Sequence, residues 1–367
     1  MRFSNFTHGH TKGIYKMELL ISGSWLNESG IFKASVEDIK FFDSIEELPE
    51  LKATYFVILS YSLSNETLEV NIKKGNEPQI ILLKIKKFEK YNPSYCKSVF
   101  LSLDKPVLSD KEYEKRIEII KNFIRKGDVY QINLTNRFDF FLDGNPKELF
   151  LNFYRFQPVP FAFYLNLKDF YIISGSMELF LEKKGETLKS KPIKGTSRVK
   201  SELLESEKEK AENLMITDMM RNDISKIAEI GSVKVEKLFD IEEFRTLYHM
   251  VSTVVGRTKK DFKDIVKNTF PPASVTGAPK KRAVEIIDLL EPFPRTYYCG
   301  SGGLIFPNGD FKLSVLIRTA IGKKEKLSYY AGCGIVWDSI PKKEVEEMHL
   351  KGEAFKRAGT GNLIFKR

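Results

Sequence analysis

Apolar and polar residues alternate along this chain with two different periods, and each period predicts one kind of element. After Ser109, apolar residues recur at the helical spacing of Tyr113, Ile117 and Ile120, and Gly127 follows them. A Ser-x-x-Glu capping box opens this helix. Directly after it, apolar residues alternate with polar ones, which is the period of a half-buried strand. A helix followed by a strand is therefore the first predicted unit.

The same two patterns continue to the end of the chain. They predict strands at 130–142, 161–167, 170–174, 186–191, 232–238, 247–255, 312–321 and 326–335, a short helix after Pro146, and longer helices at 201–220, 280–290 and from Pro341 onward. Pairs of strands followed by a long helix occur twice, which indicates a duplicated strand-and-helix unit. We therefore expect an α+β fold, with central antiparallel β-sheets packed in layers and helices outside.

The first part of the chain gives a weaker pattern. Short strand-like runs at 16–20, 53–63 and 80–85 are separated by turn residues. We place a domain boundary near residue 95. On this interpretation, 1–95 is a shortened, β-rich N-terminal segment that packs on a core domain formed by 96–367.

The composition is that of a globular protein and narrows the classes of function. The chain has 367 residues, of which 42% are hydrophobic and 12% aromatic, enough for a packed core. Its net charge is +10, but the basic residues are dispersed and form no block typical of a nucleic-acid-binding arm. An anionic small substrate, or simple solubility, explains the excess of positive charge as well.

The cysteines and the apolar runs bear on the location of the protein. Cys96, Cys299 and Cys333 show no CxxC spacing, which fits a reducing compartment. No apolar run is long enough to span a membrane, and the first residues lack the apolar core of a signal peptide. We therefore expect a soluble cytoplasmic protein. His8 and His10 have no carboxylate or cysteine partner at a useful spacing, so no metal site is predicted there.

Two predicted helices each carry a pair of glutamates three residues apart. Glu209 and Glu212 share one helix face, and Glu344 and Glu347 repeat the spacing on the last helix. Such pairs are common on solvated faces, and neighbouring lysines such as Lys208 make ordinary surface ion pairs easy. If the two pairs face each other, however, four carboxylates in a small volume require a divalent cation, and an all-oxygen donor set favours Mg²⁺.

Lys194 stands where a run of strand-like residues ends and a long helix begins. Most lysines are exposed and solvated, and that interpretation applies to this one as well. A lysine that leaves a rigid strand end beside Gly195 is partly stripped of water, loses its proton more easily and becomes a usable nucleophile.

Two polar residues interrupt predicted apolar strands. His249 lies in mid-strand, where a histidine is more often a hydrogen-bonded core residue than a catalytic group. Arg318 stands between Ile317 and Thr319, and a buried guanidinium needs a partner. That partner is either an internal carboxylate or a carboxylate of the substrate.

Four of these segments resemble motifs of the chorismate-utilising enzymes. Pro192-Ile193-Lys194-Gly195-Thr196 resembles the PIKGT signature of the aminodeoxychorismate synthase component I branch, whose anthranilate-forming relatives have PIAGT. The stretches 209–223 and 339–347 are similar to the two metal-helix motifs, with Ile340 where an Asp is usual. The stretch 274–280 is similar to the SxTGAPK motif. Together the matches cover roughly 109–357, whereas the first hundred residues match poorly.

The resemblance implies the anthranilate synthase/chorismate-binding fold and a role for each quoted residue. Lys194 is the implied nucleophile, with Thr196 in the same motif. His249 is the acid–base or orienting histidine near the departing hydroxyl of chorismate, a task suited to a pKa near neutrality. Mg²⁺ is the implied cofactor, held by Glu209, Glu212, Glu344 and Glu347. The implied substrate-binding residues are Arg318 (for the enolpyruvyl carboxylate), Tyr298, Gly332, Gly334, Gly195, Thr276, Gly277 and Lys280.

Two positions favour one branch of the family. Gln131 takes the place of the lysine that activates water in the isochorismate-forming relatives, and glutamine cannot act as a base. Ammonia is then the expected nucleophile. Lys194 implies that chorismate is aminated at carbon 4, to 4-amino-4-deoxychorismate, a precursor of 4-aminobenzoate and folate. No glutaminase motif surrounds any cysteine, so we expect a separate glutamine amidotransferase subunit, in a heterodimer. The chain ends soon after the second metal helix, which leaves no room for a fused lyase domain.

Three other interpretations stay open. An anthranilate synthase component I is the nearest, and Lys194 argues against it. A basic nucleic-acid-binding protein would bind DNA or RNA with a strongly salt-dependent affinity. A degenerate, non-catalytic subunit is the third, and the retained Glu, His, Arg and Lys residues argue against it.

Overall fold

In the part of the chain that the structure describes, eighteen antiparallel strands form one continuous sheet that folds back on itself as two layers. The computed structural model describes residues 17–93, 98–168, 170–243 and 248–359. Within them the strands are β1 (Glu18–Ser22), β2 (Ile31–Phe42), β3 (Tyr55–Leu59), β4 (Ile80–Tyr91), β5 (Phe100–Pro106), β6 (Gln131–Asp143), β7 (Phe161–Asn166), β8 (Tyr171–Ser176), β9 (Leu179–Lys184), β10 (Thr187–Lys191), β11 (Ile193–Ser197), β12 (Lys234–Glu243), β13 (Tyr248–Arg257), β14 (Gly277–Ala278), β15 (Ser301–Ile305), β16 (Phe311–Val315), β17 (Thr319–Lys323) and β18 (Lys326–Ile335).

Helices connect these strands and cover the sheet. They are α1 (Ser64–Thr67), α2 (Asp110–Arg125), α3 (Pro146–Phe156), α4 (Lys200–Glu205), α5 (Glu207–Ser225), α6 (Phe262–Thr269), α7 (Lys280–Leu290) and α8 (Pro341–Ala358), with short 3-10 helices at Gly23–Leu26, Tyr61–Leu63 and Ala273–Val275. None of the helices in the described residues combines the length and the apolar character needed to cross a membrane.

The strand order divides the sheet into two halves of equal size. Along the hydrogen-bonded path the first half runs β5-β6-β18-β17-β8-β7-β1-β2 and the second runs β4-β3-β15-β16-β9-β10-β13-β12. The strands β2 and β4 pair where the two halves meet. Each half also holds one short extra strand, because β14 pairs with β6 and β11 pairs with β13.

The alternation of side chains along each strand builds three apolar layers from this sheet. In β1, Leu19 and Ile21 enter a central cluster, where Phe56 of β3 meets Phe163 of β7 across the two halves with ring centroids 5.1 Å apart. Leu20, between them, faces the opposite side, toward α2, α3 and α8. The outer face of the second half packs against α5 and α6. Sheets inside and helices outside are therefore as predicted.

Several elements follow the sequence pattern closely. The helix α2 begins with the predicted capping box, in which Ser109 and Glu112 exchange hydrogen bonds. The helix α7 and the strand β18 have the predicted bounds, and α8 begins at Pro341.

Other elements differ from the prediction for local reasons. The helix predicted at 201–220 is split, because Ser206 caps a new helix by accepting a hydrogen bond from the backbone N–H of Glu209. The strand predicted at 312–321 is wrong, since the chain bends between Val315 and Thr319 and forms two strands. The strands β2 and β9 were not predicted, because their half-exposed ends mix charged and apolar residues without regular alternation.

The N-terminal strands lie in the middle of the sheet order. The strand β1 pairs with β7, and β3 pairs with β15, so these strands share hydrogen bonds with both halves. The boundary predicted near residue 95 falls within 94–97, outside the described residues, and the division into domains stays a prediction. His8, His10 and Cys96 also lie outside the described residues.

Candidate active site

The segment that carries Lys194 closes against the strands β6 and β18. Lys194 lies on β11, and its ammonium is 3.3 Å from the point that a Cβ at Gly334 would occupy. The amide nitrogen of Gln131 lies 2.5 Å from the same point. Any side chain at 334 would overlap that amide, so the glycine is what lets these groups approach each other. The structure thus brings Lys194, Gln131 and Gly334 together.

The other end of the Gln131 side chain points to a ligand. Gln131 is 1% exposed, and its oxygen Oε1 has no hydrogen-bond partner among the described residues. A buried polar atom without a partner is costly, and it is commonly satisfied by a bound molecule or a water. A hydrogen-bond acceptor is therefore available beside the ammonium of Lys194.

Gly195 brings the helix α5 against this lysine. It has a φ of +90°, in the region that favours glycine, and a Cβ there would lie 3.2 Å from an oxygen of Glu209. The carboxylate of Glu209 therefore lies directly over the backbone that follows Lys194. The predicted nucleophile and the first predicted metal helix are neighbours in the fold.

Carboxylates from α5 and α8 face one another beside Lys194. Burial, and then the negative charge of Glu212, raise the pKa of Glu209, which also lies within the field of Glu347. Burial raises the pKa of Glu344, and the charges of Glu347 and Glu212 act in the same direction. Both helices therefore contribute to one acidic cluster, which is the arrangement that the doubled glutamate spacing left open.

Lysines balance only part of this charge. Burial disfavours the ionised form of Glu347 and would raise its pKa. The ammonium of Lys351, 2.7 Å from a carboxylate oxygen of Glu347, acts with the charges of Lys194 and Lys208 in the opposite direction. These positive charges outweigh burial, so the pKa of Glu347 is lowered. Lys208 also lies 3.8 Å from Glu212. The remaining excess of carboxylate oxygens is the donor chemistry that Mg²⁺ prefers, so the residues present fit the predicted ion.

His249 is held by the strand pairing of β13 with β11. It is 3% exposed, it stands opposite Thr196, and its Nδ1 lies 2.8 Å from the Thr196 hydroxyl. Burial, and then the positive charge of Arg318, lower the pKa of His249 to about 4. The expectation of a pKa near neutrality is therefore wrong, because no nearby carboxylate outweighs the burial. His249 is neutral at physiological pH.

Arg318 does not lie in a strand. It sits at the bend between β16 and β17 with a φ of +52°, and its guanidinium donates to the carbonyl of Lys351 at 3.2 Å. No carboxylate lies within 4.0 Å of it among the described residues, so the internal ion pair considered from the sequence does not form there. A half-buried positive charge without an anionic partner can bind a carboxylate ligand.

The structure gives Lys280 a partner within the protein. Its ammonium binds the carboxylate of Asp223 on α5 and donates to the carbonyl of Thr269 at 2.8 Å. Burial lowers the pKa of Lys280, although Asp223 opposes that shift. Through these contacts Lys280 links α7 to α5. They do not support its predicted role in substrate binding.

The other predicted binding residues are buried, and the structure shows Gly277 in contact with Gln131. The hydroxyl of Thr276 donates to backbone carbonyls at 3.1 Å, and Gly277, with a φ of +150°, packs its backbone against the carbonyl of Gln131. Gly332 lies on β18 opposite Thr135. Tyr298 is 4% exposed and stacks on Tyr330, with ring centroids 5.1 Å apart.

Glu178 was missed by the sequence reasoning. It lies between β8 and β9, is 4% exposed, and accepts hydrogen bonds from the Ser274 hydroxyl and the Ile193 amide. Burial raises the pKa of Glu178 to about 7, while Ser274 and the charge of Lys194 act against the shift. The sequence feature that could have identified Glu178 is its position as an acidic residue between the apolar residues Met177 and Leu179. The site therefore holds a carboxyl group that is partly protonated near neutral pH, close to Lys194.

Comparison with known proteins agrees with this arrangement. Residues 35–357 match the protein family described as chorismate binding enzyme. The chain is 36% identical over 263 residues to anthranilate synthase component 1 of Saccharolobus solfataricus. The aligned region covers 68% of this chain and 62% of that protein. It is 38% identical over 258 residues to aminodeoxychorismate synthase component 1 of Bacillus subtilis, covering 67% of this chain and 55% of that protein. The chain thus spans less than two thirds of the length of these curated relatives.

Solved structures share the fold over nearly the whole chain. Anthranilate synthase component I of Streptococcus pneumoniae superimposes with a TM-score of 0.74 at 25% identity, covering 96% of each chain. The menaquinone-specific isochorismate synthase of Escherichia coli superimposes with a TM-score of 0.76 at 16% identity, covering 94% of this chain and 89% of that one. The fold predicted from the sequence is confirmed.

The raised pKa of Glu178 predicts a pH-dependent stability. Between about pH 4.5 and pH 7 the unfolded chain has lost the proton that the folded protein keeps, so this residue makes folding less favourable as the pH rises. In Glu178→Gln that penalty is absent. The variant should therefore gain up to about 3 kcal/mol in unfolding free energy relative to the unmodified protein over this window.

Urea unfolding followed by circular dichroism at several pH values measures the difference. Glu28→Gln, at an exposed position, is the matched control and should show no such trend. A constant difference between Glu178→Gln and the unmodified protein from about pH 5 to pH 8 would show that Glu178 has no raised pKa.

Proposed function

The chain belongs to the chorismate-binding enzyme family, and on this basis we propose that it converts chorismate and ammonia to 4-amino-4-deoxychorismate. This is the activity of aminodeoxychorismate synthase component I, an early step toward 4-aminobenzoate. The observation that carries the proposal is the position of Lys194. Its ammonium lies beside Gln131 and Gly334, within the field of the buried carboxyl of Glu178.

Lys194 acts as a covalent nucleophile in this proposal. Once its ammonium has lost a proton to solvent, the neutral amine forms a bond to ring carbon 2 of chorismate while the ring double bonds shift and the C4–O bond breaks, so that the hydroxyl leaves as water after taking up a proton. Ammonia then attacks carbon 4, the double bonds shift back, and the bond between carbon 2 and the Lys194 nitrogen breaks. The enolpyruvyl group is retained, and the free lysine is regenerated.

Glu178 transfers the proton, and His249 orients the hydroxyl of the substrate. A carboxyl group with a pKa of about 7 can donate a proton to the departing hydroxyl and recover it when ammonia adds. His249 is neutral and cannot serve as a cationic acid. It is fixed by the hydroxyl of Thr196 and can hold the hydroxyl of the substrate by a hydrogen bond.

The two carboxylates of chorismate require positive charge on two sides of Lys194. Arg318 has a guanidinium without an anionic partner among the described residues, and it binds the enolpyruvyl carboxylate. Glu209, Glu212, Glu344 and Glu347 hold Mg²⁺, which when bound supplies the positive charge that neutralises the ring carboxylate.

The nucleophile is ammonia rather than water. Gln131, beside Lys194, cannot remove a proton from water. The ammonia comes from glutamine through a separate amidotransferase subunit. Burial raises the pKa of both Cys299 and Cys333 to about 12, so neither thiol serves as a glutaminase nucleophile at neutral pH.

Anthranilate synthase component I is the second candidate. The identity to the relative from Saccharolobus solfataricus, 36%, is close to the 38% found for the Bacillus subtilis aminodeoxychorismate synthase component 1, so overall similarity does not separate the two activities. In that reaction ammonia adds at carbon 2, the position that Lys194 occupies in the favoured mechanism. The identity of the product therefore separates the two candidates.

Replacing Lys194 tests the proposed reaction. With chorismate, Mg²⁺ and an ammonium salt, the unmodified protein should form 4-amino-4-deoxychorismate, identified by mass spectrometry and chromatography. Lys194→Ala should lose at least about 100-fold of this activity, because the covalent step is absent. Traces of a 2-amino product or anthranilate should appear, since carbon 2 becomes accessible to ammonia.

Lys189→Ala, on the neighbouring strand β10, is the matched control and should keep full activity. Glutamine should not replace ammonium for the isolated chain. Full 4-amino activity in Lys194→Ala would refute the nucleophile, and anthranilate as the main product of the unmodified protein would establish the second candidate.

Removing one carboxylate from each helix tests the metal. Glu212→Gln with Glu347→Gln should lower the turnover at saturating chorismate by at least about 100-fold, because the charge that develops on the ring is no longer neutralised. Mn²⁺ binding followed by electron paramagnetic resonance should weaken in parallel. Glu346→Gln, exposed on α8, is the control. Undiminished activity of the double variant after exhaustive chelation would remove the metal from the mechanism.

A further inference from the structure

We infer that Cys333 gives the glutamate cluster a sulfur donor, so that this centre also binds thiophilic divalent cations such as Zn²⁺, Cd²⁺ and Co²⁺. The inference rests on the proposed Mg²⁺ centre and adds to it a second class of metal. It concerns a residue to which neither the proposed reaction nor the sequence motifs assign a role.

The geometry of three side chains carries the inference. The sulfur of Cys333 on β18 and one carboxylate oxygen each from Glu344 and Glu347 on α8 all lie within 4.8 Å of one another. Donor atoms bound to one tetrahedral Zn²⁺ are separated by about 3.5 Å, given bonds of about 2.0–2.3 Å. Glu347 is 48% exposed and is ion-paired with Lys351 at 2.7 Å, so an incoming cation has to displace the Lys351 ammonium before the three donors close around it.

The surroundings of Cys333 differ from those of an ordinary core cysteine. Its side chain is 1% exposed and packs in the apolar cluster under α8, yet it faces two carboxylates. Its thiol donates a hydrogen bond to the backbone carbonyl of Glu344 at 3.4 Å, a weak contact. The buried sulfur and the buried Glu344 form the floor of the cluster, and the exposed Glu347 leaves a path for an ion from solvent.

The chemistry of the donors sets the class of ion. Mg²⁺ takes oxygen ligands in octahedral geometry and gains nothing from sulfur. Zn²⁺, Cd²⁺ and Co²⁺ bind mixed thiolate and carboxylate sets. On binding, the S–H bond of Cys333 breaks, its proton passes to solvent, and the sulfur forms a bond to the ion without any change of oxidation state. The sulfur therefore discriminates between hard and soft cations at one centre.

Spectroscopy of the full chain tests the inference without an activity measurement. Metal-free protein is titrated with Co²⁺ and with Cd²⁺, and the thiolate-to-metal charge-transfer absorption is recorded. The unmodified protein should develop this band at one equivalent. Cys333→Ala should lose the band and bind Cd²⁺ at least about tenfold more weakly, while Mn²⁺ affinity changes by less than about threefold. Cys299→Ala, at the other buried cysteine, is the matched control and should keep the band.

The other possible results distinguish a failure of this inference from a failure of the proposed glutamate centre. A protein that binds Mn²⁺ but shows no charge-transfer band overturns this inference and leaves the proposed function standing. A protein that binds none of the ions refutes the glutamate centre itself. A band that persists in Cys333→Ala belongs to another cysteine and also overturns the inference. If Cys333→Ala does not fold, Glu347→Gln replaces it, and an unchanged Cd²⁺ affinity in that variant would be equally contrary.

Discussion

The site depends on holding like charges together beside one lysine. Four carboxylates from two helices repel one another, so the packing of the rest of the protein has to fix their positions. Asn213 follows Glu212 and anchors α5 to β13, because its amide donates to the carbonyl of Met250 at 3.1 Å and accepts from the Ser252 hydroxyl. The buried pair of Asp223 and Lys280 ties the far end of the same helix to α7. The acidic cluster therefore rests on buried, directional contacts.

The folded-back sheet brings residues from both of its halves together in a single site. Lys194 belongs to the second half, with β13, whereas Gln131 and Gly334 belong to the first, with β6 and β18. The glycines at 195 and 334 permit the close approach across this junction. Arg318 lies at the bend that joins β16 of the second half to β17 of the first, and Glu209 lies on α5, over the second half.

The sequence predicted the features whose causes are local. The capping box at Ser109, the helix beginning at Pro341 and the paired glutamates are patterns within a few residues, and the structure contains each of them. Glu178 could not be predicted in the same way, because its raised pKa comes from burial by strands distant in sequence. The low pKa of His249 has the same origin, since burial in the folded protein, and then the charge of Arg318, lower it. The sequence pattern therefore does not show which residues are buried by strands that are distant in sequence.

Locating the covalent adduct tests the central claim most directly. Intact-protein mass spectrometry after incubation with chorismate and Mg²⁺, without ammonia, should show one added mass equal to chorismate minus water. Peptide mapping should place it on Lys194, and addition of an ammonium salt should discharge it as the amino product. An adduct on another residue, or product formation with no adduct on Lys194 when ammonia is limiting, would contradict the account.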